Sequence, residues 1–419
     1  MRIVIATPVY APMINGVAVF SANLATGLAR LGHEVVVLTP SQTGKKYMRE
    51  VEGVKVFYLK STDVKVYPDQ VHKVEPKKNI LGVKLPKVFY KYGLKASIFP
   101  TKEIKKILDD FKPEIIHVQG SDPIGVAAVR YARAHAIPTV LTEHNQPEVL
   151  TEPLHLPGIV RKPVESMLST YFVNRQSKVD YVTMPTELSI EHLLKGRELG
   201  VPVEAVSNGV DLVAFRPGKP PRELYEKYGI SYGNPIVLYI GRLDPEKKVG
   251  VVIDAFAKFL DKHKLDELSR TLFVVVGDGV DKNHLVTKVE KMGLNSSVKF
   301  LGRVVGDDLY NIYRMGDVFA TASEIETQGI VLIEAAASGL PLVAVDAGAV
   351  AEVCKNGENG YLLRPGDIEG IAEAMDMILA DSQLKDTMSK KSLEIAQEHS
   401  LEKTLDRFVE IYTKLIKKV

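Results

Sequence analysis

The segment ETQGIVLIEA, residues 326–335, carries two carboxylates, Glu326 and Glu334, with Gly329 between them and an apolar run after it. Gly329 breaks the preceding pattern. IVLIEAAAS then reads as a short buried helix that stops at Gly339, before Pro341. Glu326 falls in the loop before that helix and Glu334 about one turn inside it. Backbone N–H groups near Gly329 and Ile330 favour a phosphate there. Two carboxylates beside them can accept hydrogen bonds from sugar or ribose hydroxyls. The bland alternative makes Glu326 a first-turn acid stabilised by the helix dipole and Glu334 a solvent-facing residue. The context LIEAAA weighs against it, because a charge in so apolar a helix needs a partner.

A second group lies in GRLDPEKKVG, residues 241–250, directly after the strand-like PIVLYI. Gly241 permits close approach of a ligand to the backbone. Arg242 can chelate phosphate oxygens through its planar guanidinium, and Lys247 supplies a point charge. Together they could stabilise a leaving diphosphate electrostatically. The alternative is a solvated turn. His144 closes the run PTVLTEH at a strand end, where ligands bind in parallel sheets, although a lone histidine there can also be structural.

These residues need a scaffold that ends strands at one edge, and the pattern supplies it. RIVIATP, residues 2–8, is followed by a loop. Val17, Phe20, Leu24, Leu28 and Leu31 then stand at helical spacing, with Gly32 to end the helix and HEVVVLTP as the next strand. This β-α-β unit implies a parallel, buried sheet. Strand-like runs continue at 54–59, 114–119, 138–144, 180–186 and 203–207. They restart at 235–242, 271–279, 298–303, 317–323 and 341–346. Two series predict an α/β protein of two doubly wound domains, divided near SNGVDLVAFRPGKPP (207–221), where Gly, Asn and Pro cluster.

The bulk properties remove several classes. The 419 residues exceed one core; apolar content is 45%, charged content 25% and net charge +2, so nothing pulls the whole chain toward nucleic acid. One cysteine, Cys354, excludes an internal disulfide and a multi-cysteine zinc site, and suits a reducing compartment. MRIVIATPVYAP reads as a first strand rather than a signal peptide, and no run approaches the length of a membrane span. G-x-G-x-x-G is missing after the first strand. GDG at 277–279 lacks a third glycine and places Asp278 where a pyrophosphate would be repelled, which argues against a nicotinamide enzyme; a Walker A loop is also absent.

In this order, TPVYAPMINGVAVF, TEHNQPE, VSNGVD, GRLDPEKK and ETQGIVLIEAAASGLPLVA resemble the retaining GT-B glycosyltransferases of glycosyltransferase family four over nearly the whole chain. The resemblance implies two Rossmann-like domains facing across a cleft. An acceptor-side domain would span 1–207 and a nucleotide-sugar domain 208–397, with a last helix (400–419) crossing back onto the first. It implies that Glu326 meets the donor sugar hydroxyls and Glu334 the ribose, and that Arg242 and Lys247 hold the diphosphate. Gly16 would pass its backbone near the phosphates. His144 would lie beside the transferred sugar, and the backbone around Val304 beside the base. Gly241, Gln328, Gly329 and Ile330 complete the donor-binding set, and Glu148, in TEHNQPE, falls on the acceptor side. Lys248 stands where the family has glycine, so its role and that of Lys247 could be shared; spacing from Arg242 favours Lys247. Such enzymes substitute on the same face, with the leaving phosphate accepting the acceptor's proton. No nucleophile is then required, and Glu326 and Glu334 are not a glycosidase acid/base pair. No Asp-x-Asp motif occurs, so no metal and no cofactor are expected.

Residues 72–106 are rich in lysine, including Lys84, Lys87 and Lys91, with Phe89, Tyr90, Tyr92 and Phe99 interleaved. This suits an anionic membrane surface; a plain solvated surface is the alternative. INGV and ETQG look most like the branch that glycosylates diacylglycerol, commonly from UDP-glucose, with phosphatidylinositol mannosyltransferases using GDP-mannose as near neighbours. The expected partners are a nucleotide sugar and a lipid or sugar acceptor, without nucleic acid, at the cytoplasmic face of a membrane. A nucleotide-sugar epimerase and a silent binding protein are the non-transferase readings.

Overall fold

A computed structural model describes residues 1–13, 15–64, 94–97, 100–144, 151 and 157–418. Contacts divide it into two units: 1–208 with 404–419, and 209–403.

In the first unit the strands are β1 (Arg2–Ala6), β2 (Glu34–Pro40), β3 (Tyr47–Val51), β4 (Val54–Leu59), β5 (Thr62–Val64), β6 (Leu94–Ala96), β7 (Ile115–Val118), β8 (Thr139–Thr142), β9 (Tyr181–Met184) and β10 (Val203–Ala205). Helices α1 (Gly16–Arg30), α2 (Thr101–Phe111), α3 (Pro123–Ala134), α4 (Gly158–Gln176) and α5 (Glu187–Leu194) connect them. The main sheet runs β10-β9-β8-β7-β1-β2-β4-β3, parallel except for β3, which lies antiparallel on β4; β5 and β6 form a separate antiparallel pair. α1 starts where the Asn15 side chain accepts from the Ala18 N–H (2.9 Å) and ends before Gly32, whose φ of +85° suits glycine. Phe20, Leu24 and Leu28 are buried as the spacing predicts, whereas Leu31 is exposed because the helix has already ended.

The second unit contains β11 (Ile236–Ile240), β12 (Leu272–Val276), β13 (Val298–Gly302), β14 (Val318–Ala320), β15 (Leu342–Val345) and β16 (Gly360–Leu363). Its helices are α6 (Arg222–Tyr228), α7 (Val249–Lys262), α8 (Lys282–Lys291), α9 (Asp307–Met315), α10 (Ile330–Ala337), α11 (Val350–Val353), α12 (Ile368–Ala380) and α13 (Ser382–Glu398). The sheet order is β13-β12-β11-β14-β15-β16, all parallel. β11 shows why both faces must be covered. Ile236, Leu238 and Ile240 join one apolar cluster, and Val237 and Tyr239 join another on the opposite face.

The last helix, α14 (Leu401–Ile416), joins the first unit from Thr404 onward. Its apolar stripe packs there because Gly27 makes room. A Cβ at Gly27 would lie 2.5 Å from Leu405 Cδ1. Phe408 sits beside Phe20 and His117. Leu405, Ile411, Tyr412 and Leu415 are buried along the same stripe.

Candidate active site

In the second unit the polar side chains gather at the carboxyl ends of β11 and β14. The loop after β11 carries Gly241 to Lys248. Tyr239 turns its hydroxyl up to donate to the Arg242 carbonyl (2.8 Å). A Cβ on Gly241 would meet that hydroxyl at 2.8 Å, so the tyrosine ring requires the glycine. Arg242 pairs with Asp244 and donates to Glu246 (2.7 Å). Burial raises the Asp244 carboxyl, opposed by the Arg242 charge. Lys247 donates to Glu326 Oε1 at 2.6 Å, with Ser323 Oγ and the Ile325 carbonyl at 3.4 Å. The structure therefore brings Lys247 and Glu326 together, while Lys248 takes a left-handed turn (φ +50°) before α7.

Glu326 is held through its backbone. Its carbonyl accepts from the Ala349 N–H (3.1 Å), and a Cβ on Gly348 would stand 2.7 Å from that carbonyl oxygen. Gly329 adopts φ +75° and starts α10, the helix that the sequence predicts. Gln328 is buried, and Ile330 is half-buried at the first helical position. Glu334, on the same helix, is only 9% exposed, so the solvent-facing alternative fails. Burial pushes its carboxyl up to about 7, and the Tyr313 hydroxyl, donating to Oε2 at 2.6 Å, holds it from rising further. Tyr313 was not singled out from the sequence; three residues before Gly316 it reads as one more apolar position of α9.

Val304 buries its side chain in the core cluster that includes Ile240 and Val276, so only the backbone there is available to a ligand. The glycines of GDG serve packing. A Cβ on Gly277, at φ +140°, would lie 1.8 Å from the Gly241 carbonyl oxygen, and one on Gly279 would lie 2.3 Å from the Leu243 carbonyl oxygen. They let two strand-end loops touch.

In the first unit His144 lies two residues past the end of β8. Its Nε2 lies 2.9 Å from Gln119 Oε1, past the end of β7. The Phe20 ring meets the imidazole edge-on, with centroids 5.1 Å apart. Burial lowers its pKa to about 3, so the ring is neutral at physiological pH. With Nε2–H donated to the amide oxygen, Nδ1 keeps its lone pair. Beneath lies a second, buried histidine that sequence reading passed over. His117 Nδ1 is 2.6 Å from the Tyr412 hydroxyl on α14, and Nε2 is 2.7 Å from Thr142 Oγ1, itself 2.7 Å from Thr183 Oγ1. Gly16 stands at the start of α1 with nothing within 4 Å of where its Cβ would be, so packing does not explain the glycine. Lys84, Lys87, Lys91 and Glu148 lie outside the described residues. Among the described residues no group of three potential metal ligands occurs, and no helix is long and apolar enough to cross a membrane.

The sequence profile described as Glycosyltransferase Family 4 matches residues 14–213, and that described as Glycosyl transferases group 1 matches residues 220–394. The chain belongs to the family-four type of glycosyltransferase. It is 24% identical over 402 residues to an alpha-monoglucosyldiacylglycerol synthase of Acholeplasma laidlawii, covering 94% of this chain and 92% of that one. It is 28% identical over 296 residues to a sulfoquinovosyl transferase of Arabidopsis thaliana; the match takes in 69% of this chain and 54%, about half, of that protein. Among solved structures, a sucrose-phosphate synthase from Thermosynechococcus elongatus superposes with a TM-score of 0.74 at 19% identity, covering both chains fully. The fold of this glycosyltransferase is GT-B.

Proposed function

We propose that this glycosyltransferase moves a hexose from a nucleoside-diphosphate sugar, UDP-glucose in the favoured reading, to a hydroxyl of a glycerolipid with retention of configuration. The observation that carries the donor half is the meeting of Lys247 with Glu326 at 2.6 Å, next to the helix whose buried Glu334 sits near neutrality in pKa. A diphosphate there would take the cation, and hydroxyls would take the carboxylates. Arg242, on the same loop, would add a second positive charge; its present partners, Asp244 and Glu246, lie on that loop too. In the first unit, neutral His144 offers a fixed tautomer for a sugar hydroxyl, and Gly16 an unobstructed backbone. The chemistry needs no nucleophile from the protein, because the leaving phosphate takes the acceptor proton. It is proposed to need no metal, so a chelator should leave the rate unchanged.

The lipid acceptor rests on likeness to enzymes named for diacylglycerol and sulfoquinovosyl products. The test is nucleotide release from UDP-glucose and GDP-mannose, each with and without vesicles containing diacylglycerol or phosphatidylinositol. Release that requires UDP-glucose and diacylglycerol supports the proposal. Release that requires GDP-mannose and phosphatidylinositol selects the mannosyltransferase alternative. Release driven only by soluble sugars discards the lipid half, and conversion of the donor to an epimeric nucleotide sugar without net nucleotide release points to an epimerase.

A further inference from the structure

Helix α4 buries one face and leaves the other bare. Phe172 and Ser169 pack toward α5, where Ser169 Oγ donates to the Leu193 carbonyl (2.9 Å) and Phe172 joins Ile190 and Leu193. The opposite face carries Ile159, Val160, Met167 and Tyr171, all exposed; Ile159 is 86% and Met167 64% accessible. These are four of the thirteen exposed large apolar residues in the described chain, gathered on one helix. Ile159, Pro163, Met167 and Tyr171 follow one another at i, i+4, a single stripe about 18 Å long. A soluble surface scatters such residues singly; a stripe marks a contact.

The charges around the stripe identify the contact. Lys162 and Lys178 are exposed, and the Arg175 guanidinium lies over the Tyr171 ring, 5.3 Å from its centroid. The only carboxylate of the helix, Glu165, is buried. It accepts from Arg161 Nε (2.9 Å) and from Thr151 Oγ1 (2.8 Å), so it presents no negative charge outward. An apolar stripe edged by cations, with its one acid turned inward, is complementary to anionic lipid headgroups over acyl chains.

We propose that α4 is a membrane-docking face that inserts Ile159, Met167 and Tyr171 into the interface of an anionic bilayer while Lys162, Arg175 and Lys178 meet its headgroups. This deepens the lipid-acceptor reading, since a transferase that docks through this helix works where its acceptor is. It is a separate element from the lysine-rich 72–106 segment.

The full chain is sedimented with vesicles of equal parts phosphatidylglycerol and phosphatidylcholine, and with phosphatidylcholine alone. Binding to the anionic vesicles is expected, with the partition coefficient of an I159E/M167E variant falling at least roughly tenfold. Transfer to a short-chain, water-soluble diacylglycerol should stay at the parent rate, which shows that the variant is folded. A K162E/K178E variant should lose binding most at low salt. Unchanged partitioning of I159E/M167E, or no binding of the parent chain to anionic vesicles, overturns the docking face. A parent dimer in sedimentation velocity that I159E/M167E dissolves also overturns it and gives the stripe to a second copy. If instead the parent chain binds vesicles but transfers to no lipid, the acceptor reading fails and the docking face stands.

Discussion

Replacing Glu334 by Gln should stabilise the donor-free protein at alkaline pH. Glu334 is buried, and its carboxyl is raised from 4.5 to about 7. Ionising it therefore costs about 3 kcal/mol more in the folded chain than in the unfolded one. The sign follows from proton uptake. Between about 4.5 and about 7 the unfolded chain has lost the proton that the folded chain still holds, so stability falls as pH rises through that window and stays low above it. Glutamine keeps an oxygen to accept from Tyr313 and never ionises. Like the protonated acid, it also carries a donor, so the two states match at low pH. The E334Q variant should exceed the parent by less than about 1 kcal/mol at pH 5 and by about 3 kcal/mol at pH 8. Because the chain has two units, the urea midpoint is best read by pulsed hydrogen exchange on peptides from 307–337, which report the second unit alone. Equal stability of variant and parent at pH 8 would refute the reasoning, for it would mean that the carboxylate is ionised in the fold without cost. If Glu334 serves a ribose, the same variant should bind nucleotide sugar more weakly while being the more stable protein.

Other outcomes follow from the remaining contacts. An E326Q variant releases Lys247 from its ion pair, so nucleoside diphosphate alone should bind several-fold tighter in calorimetry, about 1 kcal/mol. Sugar transfer by the same variant should fall about a hundredfold or more; loss of both would instead make Glu326 a support for the phosphate site. Tyr412→Phe removes the partner of His117 Nδ1 and should cost about 1–3 kcal/mol in urea unfolding of the first unit. Burial, then the neighbouring His144, lowers His117 to about 3, so the unfolded chain binds its proton first and stability is lost as pH falls below about 6.5. A His117→Gln variant should show a shallower acid slope. Gly277→Ala places a methyl against the Gly241 carbonyl at φ +140° and should cost about 3 kcal/mol or more, visible as a lowered melting temperature.

The regular elements were legible because parallel strands buried on both faces leave uninterrupted β-branched runs. Val54–Leu59 is a strand at the residues the sequence marks, and the helix after Gly329 begins where glycine breaks the pattern. β3 was missed because YMREV is an exposed edge with charges and no apolar alternation, and β16 because four residues, GYLL, carry too little pattern. In the site, residue types were legible and partners were not. Lys247 and Glu326 are 79 positions apart, and His117 and Tyr412 are 295 apart; only the fold closes such distances. Gly277 looked like half of a nucleotide motif because a sequence shows that a side chain is missing without showing what fills its space. Here a neighbouring loop fills it.

Both units place their unusual polar groups at the same end of a parallel sheet, and the physics of the sheet explains this. Strand interiors such as Ile236–Ile240 touch apolar side chains on both faces and can hold no charge. The carboxyl ends open onto loops and the first turns of helices, whose N–H groups are unpaired within the helix. The second unit uses that edge for opposite charges. Without a ligand, Lys247 and Glu326 neutralise each other, and Arg242 is neutralised by Asp244 and Glu246. Glu334 has no cation among the causes that set its pKa and stays near neutrality instead. A ligand that brings anionic oxygens for the two cations and hydroxyls for the freed carboxylates satisfies every group at once. A bare phosphate satisfies only the cations and strands Glu326; a bare sugar satisfies only the acids. On the proposed reading, the arrangement would discriminate for a molecule in which diphosphate and sugar are joined, by the charges left over rather than by the shape of any one pocket.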